Sequence, residues 1–258
     1  MKAFEIIKAI EDFAPGRLQE SWDNSGLIVG DQGRDVESVL LSLDCTPEII
    51  SEAIETGAGM IITHHPLIFK GIKRIGTETV QERMITALVK NDIVLYSMHT
   101  NIDKIAEGVS SLMAKKLGLK NLSFLLPDIG SESGLGLVGD LDKGLEFPEL
   151  AEHLKRVFSL KTFRFSRPVN GAIRRVAVCG GSGGSLIPEA IKAGASLYIT
   201  GDLSYHSFYC EDGFMIVDIG HYESEIDVLE LLMSVILKKI PNFAVRIARN
   251  NNNPIYYQ

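Results

Sequence analysis

The chain of 258 residues is 45% hydrophobic and 23% charged, with a formal charge of −7, which is ordinary soluble globular composition. That charge balance argues against a general nucleic-acid binder, which needs a basic face, and no stretch approaches the ~20 uninterrupted apolar residues of a membrane span. Three cysteines, Cys45, Cys179 and Cys210, have neither zinc-type nor close paired spacing, which predicts free thiols and a cytoplasmic protein.

The start, "MKAFEIIKAIEDF", has charges spread through it and predicts an amphipathic helix over about 3–13 rather than a secretory signal. A short strand follows near 27–29. "VLLSLDC" (39–45) predicts a strand, and "EAIETGAGMIIT" (52–63) predicts a helix, a Gly-Ala turn and a second strand. That second strand runs into His64, His65 and Pro66. The basic run "KGIKRIG" (70–76) reads as a solvated loop sooner than as a phosphate track. Helices are expected near 79–90 and 104–117, with the strand "IVLYSMHTNID" (93–103) between them. "LLPDIGSESG" (125–134) is the expected crossing between two lobes. Beyond it come a strand near 135–139, a helix near 147–158 and a strand near 173–178. A long helix, "EIDVLELLMSVILKKI", follows His221 until Pro241 stops it. The last strand, "FAVRIA" (243–248), is expected to return to the first lobe.

A repeat organises these elements. "EAIETGAGMIIT" (52–63) recurs as "EAIKAGASLYIT" (189–200), an offset of 189 − 52 = 137, with seven of twelve positions identical. The same offset aligns "VLLSLDC" with "VAVCGGS" (176–182). Strand–helix–strand units of this length imply parallel pairing with a right-handed crossover. The expected fold is therefore α/β, with two interlinked, duplicated lobes and a metal site in the cleft between them. The first lobe covers 1–126, joined by the returning segment 226–258, and the second covers 127–225.

Ligands of parallel α/β sheets bind beyond the carboxyl ends of the strands, and that is where the histidines fall. His64 and His65 end the first repeat, where the second copy reads Gly201-Asp202-Leu203. His99 with Asp103, and His221 with Glu225, repeat the same spacing, a histidine followed four residues later by a carboxylate. Neighbouring side chains on a strand point to opposite faces; Pro66 takes the chain out of the ladder, so both rings can reach one cleft. Imidazoles and carboxylates without thiolate suit zinc, manganese, iron or cobalt. Five or six such ligands shared by two ions would leave positions for water, the arrangement that makes hydroxide near neutral pH. Glu225 is the natural bridge. His99 fits three roles on residues alone: ligand, proton shuttle, or a group orienting Asp103.

Taken together, "ESWDNSGLIVGD" (20–31), "ITHHPLIF" (62–69), "HTNID" (99–103), "TGDLSYHS" (200–207) and "GHYESE" (220–225) resemble the GTP cyclohydrolase 1 type 2 homologues, the NIF-three-like family, over essentially the full chain. The resemblance implies two interlinked α/β lobes, a dinuclear divalent-metal centre and a ring-shaped homohexamer. It places the metal ligands at His64, His65, Asp103, His221 and Glu225 and leaves His99 out of the ligand set; a proton carrier is then the role expected of His99. It also implies a hydrolase acting on a small molecule such as a nucleotide, the family name denoting opening of the guanine imidazole ring of GTP. The alternative is a non-enzymatic metal-binding regulatory or scaffold protein. Where the family commonly reads Thr-Gly-Glu, this chain has Thr200-Gly201-Asp202, a carboxylate one methylene shorter. "CGGSGGS" (179–185) fits either a phosphate cradle or a tight turn. Trp22 reads as a cleft wall or a lobe-packing aromatic, His206 as a proton-transfer aid or a surface histidine, and His153 as a residue without a role.

Overall fold

The computed structural model describes residues 1–258 as two compact units, Met1–Ile102 with Val228–Pro254, and Asp103–Asp227 with Ile255–Gln258. No helix is long and apolar enough to cross a membrane.

The first unit opens with α1 (Ala3–Glu11), β1 (Gly26–Val29) and β2 (Ser38–Ser42), then α2 (Pro47–Thr56), β3 (Met60–Thr63), α3 (Val80–Lys90), β4 (Val94–Ser97) and the single turn α4 (Thr100–Asp103), whose last residue begins the second unit. Local chemistry fixes these boundaries. Thr46 accepts from Ile49 N to cap α2, Pro47 takes its first turn, and Gly57, at φ 71°, ends it. Thr79 caps α3 in the same way, accepting from Glu82 N. Strands β2, β3 and β4 are buried almost throughout, as expected of parallel strands covered on both faces.

The second unit contains α5 (Val109–Leu117), β5 (Lys120–Pro127), β6 (Gly134–Leu145), α6 (Phe147–Val157), β7 (Arg164–Phe165), β8 (Ile173–Ser182), α7 (Ile187–Lys192), β9 (Leu197–Gly201), β10 (Met215–Asp218) and α8 (His221–Glu225). Its sheet runs β5-β6-β8-β9-β10-β7. Side chains alternate between its two faces: Val176, Leu197 and Met215 join one core, and Ala177, Tyr198 and Ile216 the other. The chain then returns to the first unit through α9 (Val228–Lys239) and β11 (Ala244–Ile247), completing the order β1-β4-β3-β2-β11.

The duplication survives as sheet register. Val39 pairs with Met60 and Val176 with Leu197, both in parallel ladders and both at the offset of 137. The returning strand pairs with β2, Val245 opposite Val39. A buried carboxylate locks this return: Glu52 accepts from Arg249 N at 3.0 Å, Asn250 N at 3.1 Å and Asn250 Nδ2 at 3.0 Å.

Three expectations need correction. The segment 125–134 comprises the end of β5, the turn 128–133 and the start of β6, a hairpin inside the second sheet and not a crossing between lobes; β5 went unread because Lys120–Pro127 is mostly exposed and lacks a clean alternation. The helix expected over 104–117 starts only at Val109, because Gly108 is its N-cap. The long helix after His221 is two helices, α8 and α9, separated at Ile226–Asp227, where Asp227 pairs with Lys116 at 2.5 Å.

Candidate metal centre

In the first unit β3 delivers His64 and His65. Their backbones continue beside β2, His64 N donating to Ser42 O at 3.2 Å and His65 N to Leu43 O at 2.9 Å. Thr63 Oγ1 donates to His65 O at 2.8 Å, which holds the turn. His64 is fully buried. Its Nδ1 lies 2.7 Å from Met98 O; a carbonyl only accepts, so Nδ1 carries the proton and the lone pair is at Nε2. His65 Nδ1 donates to Asp44 Oδ1 at 2.9 Å, and His99 Nδ1 to Asp23 Oδ1 at 2.8 Å. The structure brings these three histidines together: one ring nitrogen of each lies within 4.8 Å of the others, and their ring centroids are 4.9–5.6 Å apart.

Asp23 is the anchor of His99. Its buried carboxylate also accepts from Thr100 N at 3.1 Å and from Ser25 Oγ at 2.8 Å. Burial pushes its pKa up, but the hydrogen bonds from His99, Thr100 and Ser25 outweigh that and hold it well below the usual carboxylate range. Trp22 and Phe69 stand edge-on to the His99 ring, at 6.1 and 5.6 Å.

In the second unit α8 carries His221 and Glu225 one turn apart on one face. His221 Nδ1 lies 2.8 Å from Asp202 Oδ2, and its Nε2 lies 3.0 Å from Glu225 Oε2. Both ring nitrogens thus face carboxylate oxygens. A neutral imidazole donates through one nitrogen only, so this geometry fits an imidazolium, a protonated Glu225 carboxyl donating to Nε2, or a cation held by Nε2 and the carboxylate. Donor atoms about 3 Å apart suit neighbouring ligands of an ion with bonds of ~2.0–2.2 Å. Asp218, salt-bridged to Arg164, accepts from Leu203 N and Gly220 N at 2.9 Å each, fixing the residues next to Asp202 and His221.

Glu225 is buried against glycine. A Cβ on Gly181, whose φ is +61°, would sit 2.2 Å from Glu225 Oε1. The glycine-rich segment makes a close approach rather than a phosphate cradle, because its N–H donors are engaged within the protein: Gly181 N donates to Ser224 Oγ and Gly183 N to Thr200 Oγ1, both at 2.9 Å. Burial, together with the nearby Asp103 and Glu225 carboxylates, pushes the Cys179 thiol up to about 12. Asp103 ends α4 with its Oδ1 shielded from solvent.

All four histidines thus share one construction: an oxygen lies within hydrogen-bond distance of Nδ1, and Nε2 is the other ring nitrogen that could ligate or carry a proton. In three of the four that oxygen belongs to a carboxylate, the partner that orients metal-binding imidazoles and raises their basicity. Two of those carboxylates, Asp23 and Asp44, went unnoticed in the sequence, and Asp202 was noticed only for its length. Asp44 and Asp202 each follow a strand, so a survey of acids at strand ends would have found them, whereas Asp23 lies in the loop before β1 and carries no such signal. The remaining candidates separate out: His206 is exposed and packs on Tyr205 and Tyr209, while His153 bonds Arg156 on α6.

This architecture is shared with known proteins. The model of the Duf34/NIF3 (NGG1p interacting factor 3) family matches residues 1–254. A Clostridium perfringens protein named GTP cyclohydrolase 1 type 2 homolog is 43% identical, covering 89% of this chain and 88% of its own length. A Clostridium acetobutylicum protein of the same name is 35% identical, covering 100% and 99%. The crystal structure of a Bacillus cereus protein related to NIF3 superposes with a TM-score of 0.89 at 26% identity, covering 100% of this chain and 99% of that one. Sequence, register and fold agree, and the chain belongs to the Duf34/NIF3 family.

Proposed function

We propose that the protein is a hydrolase dependent on two divalent metal ions, with His64, His65, Asp103, His221 and Glu225 as their ligands. The observation that carries this reading is the common posture of the imidazoles, Nδ1 held by Met98 O, Asp44 or Asp202 and Nε2 directed away. The donor set is imidazole and carboxylate without thiolate, which suits zinc, manganese, iron or cobalt. When bound, such ions bring the pKa of water from 15.7 to about 7 and polarise a substrate oxygen.

The remaining chemistry belongs to the chain. His99 is held by Asp23 through Nδ1, so Nε2 is the atom that takes a proton from the attacking water and returns it to the leaving group. The anionic Asp23 stabilises the imidazolium formed in between. The names of the relatives point to opening of a nucleotide ring by water, although fold alone does not select a substrate. A homohexamer and a cytoplasmic location complete the proposal; the latter fits three free cysteines.

Two measurements test it. Elemental analysis of purified protein should find up to two transition-metal ions per chain, reduced in His64→Ala and Glu225→Ala; unchanged metal in both variants refutes the ligand assignment. Metal-loaded protein should turn over a member of a panel of nucleotides and phosphoesters, and His65→Ala should not. No turnover on any member would favour the alternative, a metal-binding regulatory or scaffold protein.

A further inference from the structure

Residues 64–79, between β3 and α3, contain neither helix nor strand, and loops beyond ~12–15 residues without structure of their own usually serve a function. The root of this loop is fixed beside the His64–His65–His99 cluster. Asn24 Nδ2 donates to Ile68 O at 2.6 Å, Gln81 Nε2 donates to Leu67 O at 2.7 Å, and Phe69 stands against His99. From Phe69 to Val80 every residue is exposed. Within that span Lys70, Lys73 and Arg74 form no ion pair, in a chain whose net charge is −7. At the far end Glu82 Oε2 accepts from Glu78 N at 3.1 Å.

Exposed aromatic surface lies at the root of the same loop, around His99. Trp22 is 62% exposed and Phe69 49% exposed, both edge-on to the His99 ring. Rings left half in solvent beside His99 offer faces on which a planar ligand stacks.

We infer that this loop, with Trp22 and Phe69, is the substrate-recognition part of the first unit. It takes a small planar aromatic ligand carrying phosphate, the ring against Trp22 and Phe69 and the anion on Lys70, Lys73 and Arg74. Three cations match the charge of one polyphosphate. They fall short of the ~6–10 phosphate contacts of a typical nucleic-acid complex, and the acidic remainder of the chain opposes a polyanionic strand. The inference rests on the reading of His99 and its neighbours as the reacting centre.

The single tryptophan makes the test direct, because Trp22 is the only tryptophan in the chain. Its fluorescence, excited at wavelengths that nucleotides do not absorb, is titrated with GTP, guanosine and a single-stranded oligonucleotide, using intact protein and the Lys70→Gln/Lys73→Gln/Arg74→Gln variant. GTP should quench saturably and more tightly than guanosine, and added salt should weaken GTP alone. The triple variant should raise the half-saturating GTP concentration on the order of tenfold, the sum of three exposed charge contacts, and leave guanosine unchanged. Equal binding of GTP and guanosine, an unaffected triple variant, or tighter binding of the oligonucleotide than of GTP overturns the inference. Metal content measured on the same samples separates the two ideas. Loss of GTP binding in the variant at full metal content supports both, and the same loss in protein that holds no metal supports the recognition loop while refuting the metal reading. Unchanged GTP binding at full metal content refutes the loop alone.

Discussion

Replacing Gly181 by alanine puts a methyl group where the structure has room for none. The backbone there has φ +61°, a left-handed conformation that costs an L-residue about 1–2 kcal/mol. The new Cβ would also lie 2.2 Å from Glu225 Oε1, where an ordinary contact begins at 3.4 Å. Glu225 is 3% exposed, so its carboxylate must be displaced by about 1 Å within a packed interior, and overpacking of this kind costs about 1–3 kcal/mol. Gly194→Ala supplies the control: φ there is +72°, and nothing lies within 4 Å of the added atom. Urea denaturation should show Gly194→Ala losing only the backbone cost and Gly181→Ala losing about 1–3 kcal/mol more. Elemental analysis should show metal depleted in Gly181→Ala and retained in Gly194→Ala. Equal stability losses with equal metal content would refute the account of Glu225 as a ligand held in place by a glycine.

Three further outcomes follow from particular contacts. Asp202→Asn keeps a residue type that tolerates the left-handed φ of +52° found there but removes the carboxylate charge that faces His221 Nδ1, so metal affinity should fall about 10–100-fold by competition with a chelator, with little change in the melting temperature. Glu52→Ala strands the N–H groups of Arg249 and Asn250 and should cost about 2–4 kcal/mol in denaturant unfolding. Burial alone would raise the Glu52 pKa, but those backbone donors hold it below the ordinary 4.5. Its contribution to stability is therefore complete above pH 4.5 and is lost as pH falls below that value toward the folded pKa. Glu52→Gln should flatten that acid limb in unfolding measured between pH 6 and pH 3. Thiol titration with a chromogenic disulfide at neutral pH should find Cys210 alone reactive in the folded protein and all three cysteines after unfolding. Burial pushes the Cys45 and Cys179 thiols up to about 12, whereas Cys210 is half-buried.

The repeat was legible because strand–helix–strand units are written locally, and the offset of 137 reappears unchanged in the register of both sheets. His64, His65 and His221 were legible because each follows a buried strand within a few residues. Past the strands the duplication loosens. Thr63 pairs with Ser97 and Thr200 with Asp218, equivalents separated by 218 − 97 = 121, whereas His99 and His221 are separated by 221 − 99 = 122. One extra residue makes His221 the first residue of α8, while His99 precedes α4. Sequence spacing alone could not tell these postures apart.

Sequence periodicity by itself determined the α/β class, the parallel repeats and the placing of histidines at strand ends, because apolar runs and turns act over a few neighbouring residues. Only tertiary structure decided which atom of each imidazole is available, since that depends on Asp23, Asp44, Asp202 and Met98 O, brought from 19 to 76 residues away. It likewise decided that the glycine-rich turn makes room for a carboxylate. Hydrogen-bond partners and close approaches are set by where the chain folds back, and no local pattern records them.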